Sequence, residues 1–552
     1  MIAHFVDSVC SHPEVTNHCC YNEQGAGFAA VGSAKATGKT ALAYSTSGPG
    51  AANLISAIAD AYYDSTPVVF ISGQLNTYEY LGIDGIRQNG FQEMDVVSAV
   101  SAITKYAVKV EKAEDLRYIC EKAYYMTNEG RQGPVLIDLP MDMQRQEIDP
   151  QNMRGFEAEK SVKPEQDDAG ATASAIIEAI NRAKAPLLLL GNGIVKDSEA
   201  HRTVVKFAEQ LDLPIITSML ARDLLIEDHP LNFGHIGGGY GHRYANILAY
   251  KKADLIVSLG CSMCKRQTAM KTEKFAEKAE IIRVEIDPLE LTRKVHQNEK
   301  GFLCDCNEVI SKLDSKKCNG FSGWLDVCRQ VKDKLVAFDD SCPEREPNRY
   351  MEAISECIGE NSAICVDVGQ HQVWASQSFK LKPGQDLLFS GGHGAMGFAL
   401  PAAIGAYYGS GKRSVSISGD GAFQMNIQEL QWVFREQIPM TMFVMNNASL
   451  GLIQQQQDDI FAGRYAGSMS SGGYTTPDFA RVAEAYGIAS AKAYTPEDIS
   501  KVLAEMDADK PRLVEVVMDE KSRAVPKTYF GEEMYNQRPY IPESLMNEIL
   551  SL

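Results

Sequence analysis

The chain has 552 residues, which at about 150 residues per domain predicts three or four domains rather than one. A composition of 45% hydrophobic and 23% charged residues is typical of a soluble globular protein, and the net charge of −18 disfavours nucleic acids and membranes as main partners. No apolar run approaches the about 18 residues of a membrane span, and the N-terminus lacks a signal-peptide pattern, so we expect a cytoplasmic protein.

Three segments of the sequence alternate short β-branched runs with helical patterns, which is typical of parallel α/β domains. The predicted domains cover residues 1–150, 165–318 and 343–552. The predicted buried strands are 40–44, 67–71 and 134–138 in the first domain, 186–190, 255–259 and 281–286 in the second, and 363–367, 414–418 and 440–445 in the third. The sequence therefore predicts an α/β fold of three doubly wound parallel-sheet domains.

The thirteen cysteines raise the question of a metal or redox site. Cys261 and Cys264 have the spacing of half a zinc site, and Cys304 and Cys306 lie further along the chain. An odd number of cysteines scattered over a long chain favours reduced, mostly buried thiols instead.

The strongest chemical motif follows two predicted strands of the third domain. Gly419, Asp420 and Gly421 end one strand, and Asn446 and Asn447 end the next after an interval of 24 residues. Open α/β sheets bind ligands at the carboxyl ends of their strands. Few, hard oxygen ligands suit Mg²⁺ that also binds water and a phosphate, so the pair predicts a site for Mg²⁺ and a phosphorylated ligand.

This motif resembles the diphosphate-binding signature of thiamine-diphosphate (ThDP) enzymes. Further segments resemble one branch, the acetolactate synthase (acetohydroxyacid synthase large subunit) family, in order and spacing: 22–26, 46–53, 60–62, 73–74, 90–93, 369–372 and 394–398. The resemblance covers nearly the whole chain. It implies a pyrimidine-binding first domain, a central domain and a diphosphate-binding third domain.

The resemblance also implies roles for individual residues. Glu23 would hydrogen-bond the aminopyrimidine ring, for which a carboxylate with a raised pKa is suited. Met396 would support the bent cofactor, and Asp420, Asn447 and the Ser449 carbonyl would bind Mg²⁺. The implied catalytic residues are Glu23, Phe91, Gln92 and Arg266. The implied cofactor-binding residues are Glu23, Pro49, Asn53, Gln74, Gly369, Gln370, His371, Gly394, Met396, Asp420, Gly421, Ala422, Asn447, Gly451 and Leu452.

In this family the first and third domains pair across a subunit interface, so a homodimer or homotetramer is implied, and a regulatory small subunit is a further implied partner. The implied reaction decarboxylates a 2-ketoacid, pyruvate in the leading case, and transfers the hydroxyalkyl carbanion to a 2-ketoacid acceptor. The covalent chemistry belongs to the cofactor.

The sequence departs from the family pattern in three places. Ile2, Phe5 and Val6 match the helix that follows the family's first strand and glycine loop, so we expect either that the true start lies upstream or that the first sheet lacks its initial strand. Gln456 stands where true acetolactate synthases have the tryptophan that selects the acceptor. The flavin loops are represented only by glycine-rich segments and Arg131, which leaves FAD open.

These departures keep two other hypotheses open. One is a related ThDP carboligase, decarboxylase or C–C hydrolase with a larger polar or sugar-derived substrate, because a polar wall discriminates strongly among acceptors. The other, of a different class, is a non-catalytic relative that binds the cofactor.

Overall fold

The computed structural model describes residues 1–80, 86–158, 166–529 and 531–552. Within these ranges the chain forms three sheets whose neighbouring strands are all parallel, each sheet being flanked by helices. The α/β class and the three parallel sheets predicted from the sequence are confirmed, and each predicted strand is present with ends shifted by a few residues at most.

The first domain has a sheet of strand order β1-β2-β4-β3 in the described residues. Strand β2 is buried along its whole length, as expected of a parallel strand covered on both faces. Its strands are β1 Ala41–Ser45, β2 Val68–Gln74, β3 Tyr106–Lys109 and β4 Val135–Pro140, and its helices are α1 Ala3–Ser11, α2 Glu23–Thr37, α3 Pro49–Tyr63, α4 Val96–Val100, α5 Leu116–Asn128 and α6 Met141–Gln144.

The central domain has six described strands in the order β10-β9-β8-β5-β6-β7. The order reverses between β5 and β8, which places a ligand crevice at the loops that follow these strands. The strands are β5 Pro186–Leu190, β6 Ile215–Thr217, β7 Asn232–His235, β8 Leu255–Leu259, β9 Glu280–Glu285 and β10 Glu299–Leu303, and the helices are α7 Ala169–Arg182, α8 Glu199–Leu211, α9 Arg243–Ile247, α10 Lys265–Thr268, α11 Pro288–Thr292, α12 Cys306–Ile310 and α13 Ser322–Asp340.

The third domain has six described strands in the order β12-β11-β13-β14-β16-β15, with the reversal between β11 and β13. The strands are β11 Ser362–Val366, β12 Asp386–Phe389, β13 Arg413–Gly419, β14 Thr441–Asn446, β15 Ala489–Ala493 and β16 Arg512–Val517, and the helices are α14 Glu346–Cys357, α15 Gln370–Ser378, α16 Ala399–Ser410, α17 Asp420–Gln424, α18 Leu430–Arg435, α19 Gly451–Phe461, α20 Phe479–Ala485 and α21 Pro496–Ala504. The last helix, α22 Glu543–Ser551, packs instead on the central domain, with Ile549 in its core.

The first and third domains share one hydrophobic core, in which α2 packs against α16. The two helices approach closely because glycines face backbone: a Cβ at Gly32 would lie 2.1 Å from the Ala402 carbonyl oxygen, and one at Gly405 would lie 1.8 Å from that of Ala29. Any side chain at either glycine would push the helices apart. This contact fixes α2, which carries Glu23 at its N-terminus, relative to the third domain.

The predicted domain boundaries stay predictions, and the predicted start of the central domain at residue 165 lies outside the described residues. Helix α1 agrees with the helical spacing predicted for the first residues. In the part of the chain that the structure describes, no helix combines the length and the apolar character that crossing a membrane requires.

Candidate active site

The site begins at the crevice of the third sheet, where the strand order reverses. Asp420 follows β13, Asn447 follows β14, and Gly369 lies shortly after β11, so the carboxyl ends of three neighbouring strands bring these residues to one edge. This is the arrangement predicted from the Gly-Asp-Gly and Asn-Asn motifs, and it is where doubly wound sheets bind ligands.

Asp420 is a buried acid held by neutral donors. Its Oδ1 accepts hydrogen bonds from the Tyr474 hydroxyl (2.7 Å) and the Gly421 N–H (2.6 Å), and its Oδ2 accepts one from the Ser449 N–H (3.3 Å). Burial raises the pKa of Asp420 to about 6 in spite of these bonds. A cation bound to the carboxylate would favour its ionised form, so Asp420 is suited to be a metal ligand.

Asn447 and Ser449 lie beside this carboxylate in the loop between β14 and α19. Asn447 is 6% exposed and its Nδ2 donates to Gln370 Oε1 (3.1 Å), while the Ser449 hydroxyl donates to the Glu520 carbonyl (3.3 Å). A Cβ at Gly451 would lie only 1.9 Å from Gln370 Oε1, so a side chain where α19 begins would displace the Gln370 amide. Leu452 follows it and is half-buried.

Met396 reaches the same crevice from the loop before α16. Its Cε lies 3.4 Å from the position of a Cβ on Gly421, next to the buried Ala422. Gly394 has a positive φ of 71° with open space on its Cβ side, so the backbone there is accessible to a ligand. The predicted diphosphate loop and the predicted support for the cofactor therefore lie together.

His371 and Gln370 start α15 at the floor of the crevice. His371 is buried and its Nε2 accepts the Gly419 N–H (3.2 Å), and burial lowers the pKa of His371 to about 3, so the ring is neutral at physiological pH. A Cβ at Gly369 or at Gly419 would lie within 3 Å of the imidazole, which therefore packs between the two glycines. The side chain is well placed to shape the loop and carries no charge toward a phosphate.

Glu23 belongs to a second cluster, in the first domain. It lies at the start of α2, where the Asn22 side chain caps the helix by accepting the Gln24 N–H (2.8 Å). Glu23 Oε2 accepts a hydrogen bond from Asn53 Nδ2 (2.9 Å), and a Cβ at Gly50 would lie 3.2 Å from Glu23 Oε1. The N-terminal turn of α3, which begins at Pro49, therefore lies against the carboxylate, which stays partly exposed in the single chain.

Phe91 and Gln92 join this cluster through a loop that Gln74 anchors. Gln74, at the end of β2, donates to the Met94 carbonyl (2.8 Å) and to Asp138 Oδ2 (3.0 Å). A Cβ at Gly48 would lie 2.7 Å from the Gln92 carbonyl oxygen, so the loop touches the turn before α3. Phe91 itself is 81% exposed, which is unusual for a large aromatic side chain.

Arg266 lies apart from both clusters, on the wall of a cavity of about 580 Å³ between the central and third domains. Its guanidinium donates to the Gly391 carbonyl (2.7 Å) and to Gln372 Oε1 (2.8 Å). Asp64 holds the same loop from the first domain, accepting N–H bonds from Gly391 (2.9 Å) and Gly392 (2.6 Å). Arg266 therefore borders the loop that leads to Gly394 and Met396.

The central crevice opens beside this cavity. A second cavity of about 280 Å³ is lined by the loops after β5, β8 and β9, and it shares Asp64, Arg131 and Ser262 with the first. The Arg131 guanidinium donates to Ser65 Oγ (2.8 Å) and pairs with Glu290 (2.8 Å), linking the first domain to the central one. The two cavities therefore lie side by side at the switch point of the central sheet.

The described residues contain no hydrogen bond between the Glu23 cluster and the Asp420 cluster. Asn426 links the two clusters, because its Nδ2 donates to Gln24 Oε1 (3.1 Å), next to Glu23, and to the Gly397 carbonyl (2.8 Å), next to Met396. Glu429, buried just before α18, also accepts N–H bonds from Tyr21 (3.2 Å) and Asn22 (2.9 Å) ahead of α2. Sequence reasoning missed Glu429, and it also missed Tyr474 and Asp367. Asp367 accepts the Gly397 N–H (2.9 Å) beside Met396; its position directly after β11 is the signal that could have identified it.

Comparison with protein families gives three matches in chain order. The model of the thiamine pyrophosphate enzyme N-terminal TPP binding domain matches residues 1–99, that of the central domain matches 173–313, and that of the C-terminal TPP binding domain matches 367–516. Thiamine pyrophosphate is ThDP, so the cofactor predicted from the sequence is confirmed at the level of these domains.

Individual relatives are similar along nearly the whole chain. Acetolactate synthase isozyme 1 large subunit of Escherichia coli K12 is 33% identical over 529 residues, covering 94% of this chain and 90% of its own. The acetolactate synthase large subunit of Corynebacterium glutamicum is 32% identical (95% and 84% covered), and acetolactate synthase 1, chloroplastic, of Zea mays is 32% identical (93% and 81% covered). The chain is therefore an enzyme that belongs to the acetolactate synthase family of thiamine pyrophosphate enzymes.

Proposed function

We propose that the protein is a Mg²⁺- and ThDP-dependent acetolactate synthase. It would decarboxylate one pyruvate and join the remaining two-carbon unit to the carbonyl carbon of a second 2-ketoacid; two pyruvate anions and one proton then give one acetolactate anion and CO₂. The observation that carries the proposal is the meeting of Asp420, Asn447 and Met396 in one crevice, in a chain whose relatives are named acetolactate synthases. These names do not favour the non-catalytic hypothesis.

The donor set at the third sheet fits Mg²⁺ bound to a diphosphate. The Asp420 carboxylate would supply the anionic ligand, and the Asn447 amide oxygen and the Ser449 carbonyl would supply two neutral ones, leaving other positions to phosphate and water. Gly369, Gly394 and Gly421 keep the backbone free of side chains where the diphosphate would lie. ThDP, when bound, supplies the nucleophilic carbon and the electron sink for decarboxylation.

Glu23 would hold and exchange a proton at the aminopyrimidine, and it would do so in the complex of two chains. Its carboxylate is partly exposed, bonded by Asn53, and bordered by the exposed Phe91. A second copy covering this surface would exclude water from Glu23 and bury Phe91. This supports a homodimer or a homotetramer with sites shared between copies, in which Phe91 and Gln92 line the substrate side.

The cleft of the central domain is the candidate site for FAD. Its two adjacent cavities, of about 280 and 580 Å³, are together of a size suited to an elongated ligand, and they lie at the sheet position where dinucleotides bind. Glu285 ends β9 at this cleft, where an acid suits ribose hydroxyls, and Arg131 and Arg266 lie along the walls. Flavin absorbance released on denaturing the purified protein would support this assignment, and a nucleotide without flavin would contradict it.

The reaction is tested by incubating the protein with pyruvate, ThDP and Mg²⁺. We expect CO₂ and acetolactate in equal amounts, with no product when ThDP or Mg²⁺ is omitted. Release of CO₂ without acetolactate would contradict the proposal. Because these relatives are named large subunits, a small regulatory subunit is a candidate partner, and co-purification tests for it.

A further inference from the structure

Three side-chain amides form a continuous chain beneath the candidate metal site. Asn447 Nδ2 donates to Gln370 Oε1 (3.1 Å), and Gln370 Nε2 donates to Gln455 Oε1 (3.2 Å). The residues are 6%, 4% and 0% exposed, so water does not substitute for these partners. Because a buried amide without a partner is costly, each link restricts the orientation of the next.

The backbone of the segment after β16 fixes the direction of this chain. Gln455 Nε2 donates to the Ala524 carbonyl (3.1 Å), and its Oε1 accepts the Ala524 N–H (2.9 Å). Gln370 Nε2 also donates to the Ser522 carbonyl (2.7 Å). A carbonyl only accepts and an N–H only donates, so neither glutamine can exchange its oxygen and nitrogen without losing these bonds.

This direction determines which atom Asn447 presents to the metal. Both N–H groups of the Gln370 amide are occupied, by Gln455 and by Ser522, so Oε1 faces Asn447 and accepts from its nitrogen. The Asn447 oxygen is then directed away from Gln370. Mg²⁺ binds oxygen and not an amide nitrogen, so a flipped Asn447 would remove a ligand.

We propose that Gln455, acting through the Gln370 side chain, is a positioning residue that holds Asn447 with its oxygen toward Mg²⁺. The inference rests on the proposed function and deepens it. It gives the Gln370 side chain a supporting role, since both of its donors are used within the protein. It also makes the backbone of Ser522 and Ala524 part of the support of the metal site.

The test compares Gln455→Leu with Gln457→Leu. Gln457 lies on the same helix and is also buried (8% exposed), but it bonds Ser468 and the Ala466 carbonyl and no member of the amide chain. With the full-length protein, the Mg²⁺ concentration for half-maximal ThDP binding is measured by calorimetry, together with Tm and the pyruvate KM. We expect Gln455→Leu to raise the half-saturating Mg²⁺ concentration about tenfold or more, while Gln457→Leu leaves it within twofold of the wild type.

A second variant keeps the inference testable if Gln455→Leu folds poorly. Gln370→Met breaks the same chain one step closer to Asn447 and should raise the Mg²⁺ requirement at least as much. The double variant should need no more Mg²⁺ than Gln370→Met alone, because both substitutions break the same chain of amides. Equal Mg²⁺ requirements in the wild type, Gln455→Leu and Gln370→Met would overturn this inference but not the proposed function. If ThDP binding to the wild type did not depend on Mg²⁺, the proposed function would be overturned as well.

Discussion

The two halves of the candidate site differ in how completely one chain builds them. Around Asp420, the three residues that would bind Mg²⁺ are buried and hydrogen-bonded to each other or to neighbouring residues. Around Glu23, the carboxylate is partly exposed and Phe91 faces solvent at 81% exposure. Under the proposed function, a single chain preorganises cofactor binding, whereas the proton-transfer half depends on a second copy. Loss of a proposed metal ligand in the first region should affect binding, and loss of the Glu23 carboxylate in the second should affect rate.

The largest expected effect is the loss of cofactor binding in Asp420→Ala. Removing the only carboxylate among the proposed metal ligands should weaken Mg²⁺-dependent ThDP binding more than about 100-fold, beyond what supporting residues contribute. Calorimetric titration with ThDP and Mg²⁺ measures this. Asp507→Ala, which removes an exposed carboxylate of the same domain, is the control; similar ThDP affinity in the two variants would contradict the assignment.

Glu23→Gln should separate rate from binding. The amide keeps the contact with Asn53 but cannot exchange the proton, so kcat should fall by about 10² to 10⁴ while ThDP affinity stays within a few-fold. Steady-state kinetics and titration on the same preparation measure both quantities. Glu14→Gln, at an exposed position of the first domain, should behave as the wild type. An equal loss of affinity and rate in Glu23→Gln would remove the distinction between the two halves.

Met396→Ala tests whether the crevice bends its ligand. Shortening the side chain that reaches toward Gly421 should lower kcat by about ten- to 100-fold through misplaced reacting groups, whereas Met396→Leu should retain most of the rate. The measurement is kcat with saturating ThDP and Mg²⁺. Identical rates in the alanine and leucine variants would show that side-chain length at this position is unimportant.

The smallest effect concerns stability, at Asp138, a buried acid that accepts a hydrogen bond from Gln74 beside the Glu23 half of the site. Burial raises the pKa of Asp138 to about 6, above its ordinary value of 3.8, so the folded state binds the proton more tightly than the unfolded state. Ionisation therefore lowers stability as pH rises from about 4 to 6, by about 2 to 3 kcal/mol in total.

Asp138→Asn removes this ionisation while leaving groups that can bond Ser72 and Gln74. Its Tm should exceed that of the wild type at pH 7, and the difference should shrink toward pH 4. Scanning calorimetry of dilute samples across this range measures the difference. A constant Tm difference at all pH values would show that Asp138 does not titrate as its burial predicts.

The sequence predicted those parts of the site whose residues directly follow a recognisable strand. Asp420 and Asn447 each follow an apolar strand, and parallel strands bring their carboxyl ends together, so the spacing was sufficient to place them at one edge. Gln455 and Tyr474 could not be found this way, because their contacts join loops and helices that are distant along the chain. A run of four glutamines in α19 shows no periodicity that separates the bonded members from the exposed Gln456.

The glycine contacts between α2 and α16 have a consequence for motion. With Gly32 against Ala402 and Gly405 against Ala29, the two backbones touch without intervening side chains that could change rotamer. Sliding or hinging at this seam would create steric overlap, so the contact restricts the motion of α2 relative to α16. An opening that admits substrate or releases product is therefore expected away from this seam.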